Sequence, residues 1–113
     1  MLQRKEGSLT KLEMTEGDYG TALPMVISGG VLDTDEKIKI TIFDYKTHVI
    51  KVVKEYSNIT NGTFDFSLTK EESNLLPAGD YVYSVEWFQE DTFVGTLINA
   101  EDFTVEGKGI LWI

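Results

Sequence analysis

The sequence predicts an all-β domain, an antiparallel β-sandwich of roughly seven to nine short strands. Three observations lead there. Apolar residues recur at every second position in several short stretches, which is the signature of a half-buried strand. Turn-forming residues separate those stretches at fairly even intervals. No stretch beyond a single turn carries helical spacing. The 113 residues suit one domain, taken as residues 1–113. A hydrophobic fraction of 42% is enough for a core without staples.

Taken in order, residues 10–14 offer a first strand. Residues 21–28 carry Leu23, Met25 and Ile27 in alternation but contain Pro24. Proline cannot donate to a ladder, so this segment is expected at an edge or a bulge. Gly29-Gly30 and Asp33-Thr34-Asp35-Glu36 form the next turn region. In residues 37–43, Ile38, Ile40 and Ile42 face one way, and Lys37, Lys39 and Thr41 the other. Asp44-Tyr45-Lys46-Thr47 closes a hairpin to residues 49–53, a run apolar on both faces and therefore a candidate central strand. Asn61-Gly62 is a tight-turn dipeptide leading to Phe64, Phe66 and Leu68 in alternation. Thr69-Lys70-Glu71-Glu72 fits a capping box, predicting one helical turn over residues 70–75. Tyr81, Tyr83, Val85 and Trp87 then share one strand face, and residues 93–98 and 103–105 complete the set as two further strands.

The charge balance narrows the partners. Nineteen acidic residues against ten basic leave a net charge of −9, with no basic stripe, so nucleic acid is not an expected partner. The chain contains no cysteine, which rules out disulfides, thiolate zinc sites and thiol catalysis, and fits a cytosolic environment. Residues 1–14 lack the apolar run of a signal peptide. No stretch approaches the roughly 18 apolar residues of a membrane-spanning helix. Asn58-Ile59-Thr60 and Asn61-Gly62-Thr63 match the glycosylation acceptor pattern, but read more simply as a turn.

Residues able to do chemistry are scattered. His48 is the one histidine, and it follows a hairpin turn rather than joining a visible triad or metal motif. Asp33, Asp35 and Glu36 suggest oxygen ligands for calcium, yet lack the spacing of a calcium loop. Glu86, Glu90, Asp91, Glu101 and Asp102 include candidates for a carboxylate pair of the kind that hydrolyses glycosides. No cofactor motif is present, so neither an enzyme nor a cofactor is expected. Tyr45, Tyr56, Phe88 and Phe93 fall near turns or on mixed strand faces, where exposed rings would serve an assembly contact or a sugar platform. After Glu106-Gly107-Lys108-Gly109, the apolar Ile110, Leu111, Trp112 and Ile113 read either as a last strand or as an arm, residues 107–113, that docks on a neighbouring subunit.

The most informative stretch is LPAGDYVYSVEW, residues 76–87. Leu75, Pro77, Gly79 and Tyr81 stand in the order of a tyrosine corner. In that device a ring enters the core while its hydroxyl bonds to backbone a few residues upstream. Pro77 is expected to stop the helical turn, Gly79 to permit a close approach and Tyr81 to open the inward face. Immunoglobulin-like and fibronectin-like domains have similar corners, so the expected sandwich is immunoglobulin-like. Tyr83 stands where antibody domains place a cysteine.

The wider order of motifs adds a family resemblance. Glu16-Gly17-Asp18-Tyr19-Gly20-Thr21 is followed by the strand of residues 37–44, Asn61-Gly62 and residues 64–68. Leu76-Pro77-Ala78-Gly79-Asp80-Tyr81, Trp87 and Phe103-Thr104-Val105 complete it. From Gly17 to Val105 this pattern resembles the immunoglobulin-like domain at the N-terminus of tailed-phage upper baseplate and minor tail proteins. The resemblance implies a non-enzymatic virion component, made in the bacterial host cytoplasm. It would contact other phage structural proteins and itself, with no nucleic acid, membrane or cofactor involved. A carbohydrate-binding or adhesion module of a bacterial surface protein is the alternative, with glycan as its partner.

Overall fold

A computed structural model describes residues 1–26, 36–57, 59 and 63–107. The strands are β1 (Gln3–Arg4), β2 (Leu12–Thr15), β3 (Leu23–Val26), β4 (Glu36–Asp44), β5 (Ile50–Ser57), β6 (Thr63–Phe66), β7 (Gly79–Gln89) and β8 (Thr92–Glu106). One short helix, α1 (Lys70–Ser73), interrupts them. The protein is therefore all-β. The turns assigned to Gly29-Gly30, Asp33-Asp35 and Asn61-Gly62, both acceptor asparagines, and Ile110, Leu111, Trp112 and Ile113 lie outside the described residues.

Two sheets enclose the core. The larger has the order β1-β2-β8-β7-β4-β5, and the smaller is the ribbon β3-β6. Alternation decides what each strand buries. Ile38, Ile40 and Ile42 of β4 are fully buried, while Lys37 and Lys39, which alternate with the first two, lie half-buried on the other face. Leu12 and Met14 of β2, Tyr81, Tyr83 and Val85 of β7, and Phe103 and Val105 of β8 join them. Leu23 and Met25 of β3, with Phe64 and Phe66 of β6, belong to the same apolar cluster, so the ribbon and the large sheet share one core.

No backbone ladder joins the two sheets among the described residues, and long side chains bridge the gaps instead. On the β1 side, Arg4 Nη2 donates to the Pro24 carbonyl at 2.9 Å. On the β5 side, Lys54 Nζ donates to the Ser67 carbonyl at 2.5 Å and meets Glu72 Oε1 at 2.9 Å. The Ser67 amide donates to the Tyr56 hydroxyl at 3.4 Å. The Arg4 and Lys54 bonds are charge-assisted, and such bonds are stronger than neutral ones.

Several expectations from the sequence change. The first strand runs Leu12–Thr15 rather than residues 10–14, and the short β1 precedes it. β2 pairs with β8 in parallel, so the large sheet is mixed rather than wholly antiparallel. Strands this far apart in sequence need no tight turn between them, and the parallel option is open to them. Residues 49–53 do not form a central strand. β5 is the terminal strand of the large sheet, and Ile50 and Val53 are exposed there. Pro24 sits in β3, whose described partner is β6 alone, consistent with its missing donor.

Residues 93–98 and 103–105 prove to be parts of the single strand β8. Three register shifts against β7 insert extra β8 residues, and each shift exchanges the two faces. Ala100 sits in one of these bulges with φ of 53°, its amide donating to Ser84 Oγ at 3.1 Å. Leu97 and Val94 have no directly opposed partner on β7, and both are exposed. Sequence alternation alone read this broken period as two strands.

Candidate functional site

The corner comes first, because it sets the frame. Thr69 caps α1: its side chain accepts from the Glu72 amide, and the Glu72 carboxylate accepts from the Thr69 amide. The Leu76 amide still bonds back to Ser73, and Pro77 then ends the series because it has no N–H. Tyr81 is 5% exposed and its hydroxyl donates to the Pro77 carbonyl at 2.6 Å. Leu75 departs from the expected role: it is 52% exposed, and Leu76 is the leucine that enters the core. One residue's advance along a helical turn rotates a side chain by roughly 100°, so neighbouring leucines take opposite fates. Gly79 has φ of 159°, and a Cβ there would meet the Pro77 oxygen at 3.9 Å, an ordinary contact. Backbone conformation, rather than crowding, is what calls for glycine. The Ala78 amide donates to Glu16 Oε2 at 3.0 Å, tying the early Glu16-Gly17-Asp18 turn to this corner.

The outer face of the large sheet gathers the polar candidates. Strand register aligns Glu55, Lys39, Glu86 and Thr96 in one row across β5, β4, β7 and β8. The neighbouring rows are Ser57, Lys37, Phe88 and Phe93 on one side and Val53, Thr41 and Ser84 on the other. A shallow groove of about 440 Å³ crosses this face, its floor including Lys39, Thr41, Ser84 and Thr96. At one end His48 packs edge-on against Phe43, with ring centroids 6.3 Å apart. One row beyond its Lys39, Glu86 and Thr96, Phe88 and Phe93 meet at 5.7 Å in the same T-shaped manner. Lys39 Nζ stands 5.8 Å from the Phe88 ring centroid, within reach of its negative face.

Local chemistry explains why the hairpin before β5 turns where it does. Asp44 Oδ1 accepts from the Lys46 and Thr47 amides at 2.8 and 2.9 Å. The Thr47 backbone bond is the main cause that holds the Asp44 carboxyl below its ordinary range; desolvation opposes it, and the Lys46 bond and the Lys51 charge add to the lowering. His48 then adopts φ of 59°, a left-handed turn conformation.

The other candidates do not converge. Tyr56 is not an exposed platform: its ring packs on Phe64 at 4.9 Å against the core. Burial raises its hydroxyl pKa. Tyr45 is exposed and borders a second hollow of about 320 Å³ with Lys5, Asp80 and Asp102. Glu86 lies on the outer face, while Asp91 pairs with Lys37 at 3.3 Å and Asp102 lies 3.8 Å from Lys11. Glu90 occupies the β7–β8 turn with φ of 54°, and Glu101 pairs in register with Tyr83. Glu36 begins β4 as a buried residue. Among the described residues, no group of three or more histidine or acidic side chains is placed to hold a metal ion. No described helix is long and apolar enough to cross a membrane.

The sequence did not single out the β5 edge or the outer-face rows. The alternation of residues 37–43 carried part of that signal, but which strands flank them is a matter of pairing. No family model, curated protein or solved structure matches the chain.

Proposed function

We propose that the chain is a non-catalytic, immunoglobulin-like β-sandwich that acts as a tail or baseplate component of a phage or prophage virion. It works through protein–protein contacts with itself and with other structural proteins. The observation that carries this reading is exposed apolar surface at two places on the large sheet. Ile50 and Val53 stand exposed on the edge strand β5, with Val49 just before it, and Phe93, Val94 and Leu97 stand exposed on β8, across β4 and β7. Apolar side chains left exposed in groups favour a partner surface. The Tyr81–Pro77 corner supports the immunoglobulin-like assignment, and the order of turns and strands from Gly17 to Val105 supports the phage one. Mass spectrometry of purified particles from the phage or host that encodes the chain tests the reading. Recovery in stoichiometric amounts with tail proteins is expected, and its absence from intact particles overturns the proposal.

A second reading is favoured by the groove on the outer face. Hydroxyls of Thr41, Ser84 and Thr96 lie there between the Phe43–His48 and Phe88–Phe93 ring pairs. Such a strip suits a neutral glycan, whose hydroxyls need mixed donors and acceptors and whose ring faces need apolar contact. Glycan-array binding that disappears in Phe88→Ala, with the fold intact, would select the adhesion module over the virion component.

A further inference from the structure

The free edge of β5 is complementary to itself. β5 is the last strand of the large sheet, and among the described residues nothing pairs with its outer side. Such an edge presents unpaired backbone donors and acceptors, a ready template for another strand. Val52, Lys54 and Tyr56 lie opposite Ile42, Ile40 and Ile38 and belong to the core side. Val53, Glu55 and Ser57 lie opposite Thr41, Lys39 and Lys37 and belong to the outer side. Two copies of β5 meeting across a two-fold axis must pair antiparallel and keep each side chain on its own face. Only registers centred on a residue satisfy that condition.

Charge then selects among those registers. Centring on Lys54 sets two lysines directly opposite each other, and centring on Glu55 does the same with two glutamates. Like charges in that position are destabilising. Centring on Val52 gives no unlike charge pair. Centring on Val53 places Val53 against its own copy, Lys51 against Glu55 and Glu55 against Lys51. Val53 is 45% exposed, so this pairing would remove apolar surface from water as well as extend the ladder. The register against β4 is regular from Val52 to Ser57, and Lys51 is the extra residue of the bulge at its end, beyond which Ile50 lies opposite Phe43.

We infer that a second copy of this chain docks on the β5 edge, antiparallel and centred on Val53, joining two six-stranded sheets into one. This deepens the proposed assembly role by naming the partner and surface, and it rests on that role for its biological meaning but not for its physics.

Sedimentation velocity over a concentration series tests it on the full chain. The wild type is expected to self-associate reversibly, and more weakly at high salt. Lys51→Glu and Glu55→Lys alone each set like charges opposite across the axis, and each should weaken self-association by about tenfold or more. An equimolar mixture of the two variants faces unlike charges at both positions and should associate about as well as the wild type. Circular dichroism melts show that each variant is folded. A wild type that stays monomeric at all concentrations overturns the inference. So does a dimer that ignores these charges, or a mixture that fails to associate. Particle proteomics fails independently: a chain absent from virions that still obeys this charge rule loses the virion reading and keeps the β5 dimer.

Discussion

The Tyr81 hydroxyl donates to the Pro77 carbonyl at 2.6 Å, linking β7 to a residue four positions earlier, just past the helical turn. That bond joins a side chain committed to the core to a carbonyl that has no helical partner. Tyr81→Phe keeps the ring and removes the bond, so it should lower stability by about 0.5–1.5 kcal/mol. Urea melts of the two proteins give the difference, and equal midpoints with equal slopes would dismiss the corner as a stabilising element.

Tyr83 should make the fold sensitive to alkali. Its ring is fully buried against Phe103 and its hydroxyl donates to the Thr10 carbonyl. Desolvation is the main cause that pushes its pKa up to about 12, with the Glu101 charge adding to it. The unfolded tyrosine ionises near 10, so between those values the unfolded chain holds fewer protons and stability falls as pH rises. The contribution is complete below the unfolded value and gone above the folded one. Denaturant melts across this alkaline window should show the decline, and Tyr83→Phe should flatten it while lowering stability at neutral pH. An unchanged slope in that variant would assign the alkaline loss elsewhere.

The Lys54 bridge predicts the opposite pH dependence. Burial tends to raise the Glu72 pKa, but bonds from Lys54 and from the Thr69 backbone outweigh it and leave it below its ordinary value. A depressed carboxyl contributes stability above its unfolded value and loses it as pH falls through the folded one. Lys54→Ala should cost about 1–3 kcal/mol at neutral pH, the range for bonds to charged groups. It should also reduce the acid-dependent part of the melt. Hydrogen exchange would report where the loss falls: amides of β6 and α1 should exchange faster before those of β7.

Ala100 offers a gain rather than a loss. Its φ of 53° lies in the left-handed region, which disfavours an L side chain. Ala100→Gly removes that cost and keeps the amide bond to Ser84, so thermal melts should show a rise of about 0.5–1 kcal/mol, net of the greater freedom of the unfolded chain. A drop in stability would mean that the Ala100 methyl contributes packing that outweighs the backbone strain.

Much of the fold was legible because period-two alternation is a local property. Ile38, Ile40 and Ile42 announced a core face before any partner strand was known, and the Thr69–Glu72 capping box announced its helical turn within four residues. β8 was misread for the converse reason. Its bulges change which side chains face inward, so the local period breaks although the strand continues. The same limit applied to the outer-face groove, because Lys39, Glu86 and Thr96 come from three strands and meet only through register.

By itself, the sequence determined the all-β class, the inward faces of β4 and β7, and the Pro77–Tyr81 spacing, because each depends on residues close together along the chain. Tertiary structure decided that β2 runs parallel to β8, that β5 lies at an edge, and that Leu76 rather than Leu75 is buried. It also decided that Arg4, Lys54 and Tyr56 bridge the two sheets. Those outcomes depend on which distant surfaces meet, and the hydrophobic effect that brings them together is non-directional. It favours burial of the alternating faces, and pairing geometry, turn chemistry and a few long side chains select the arrangement.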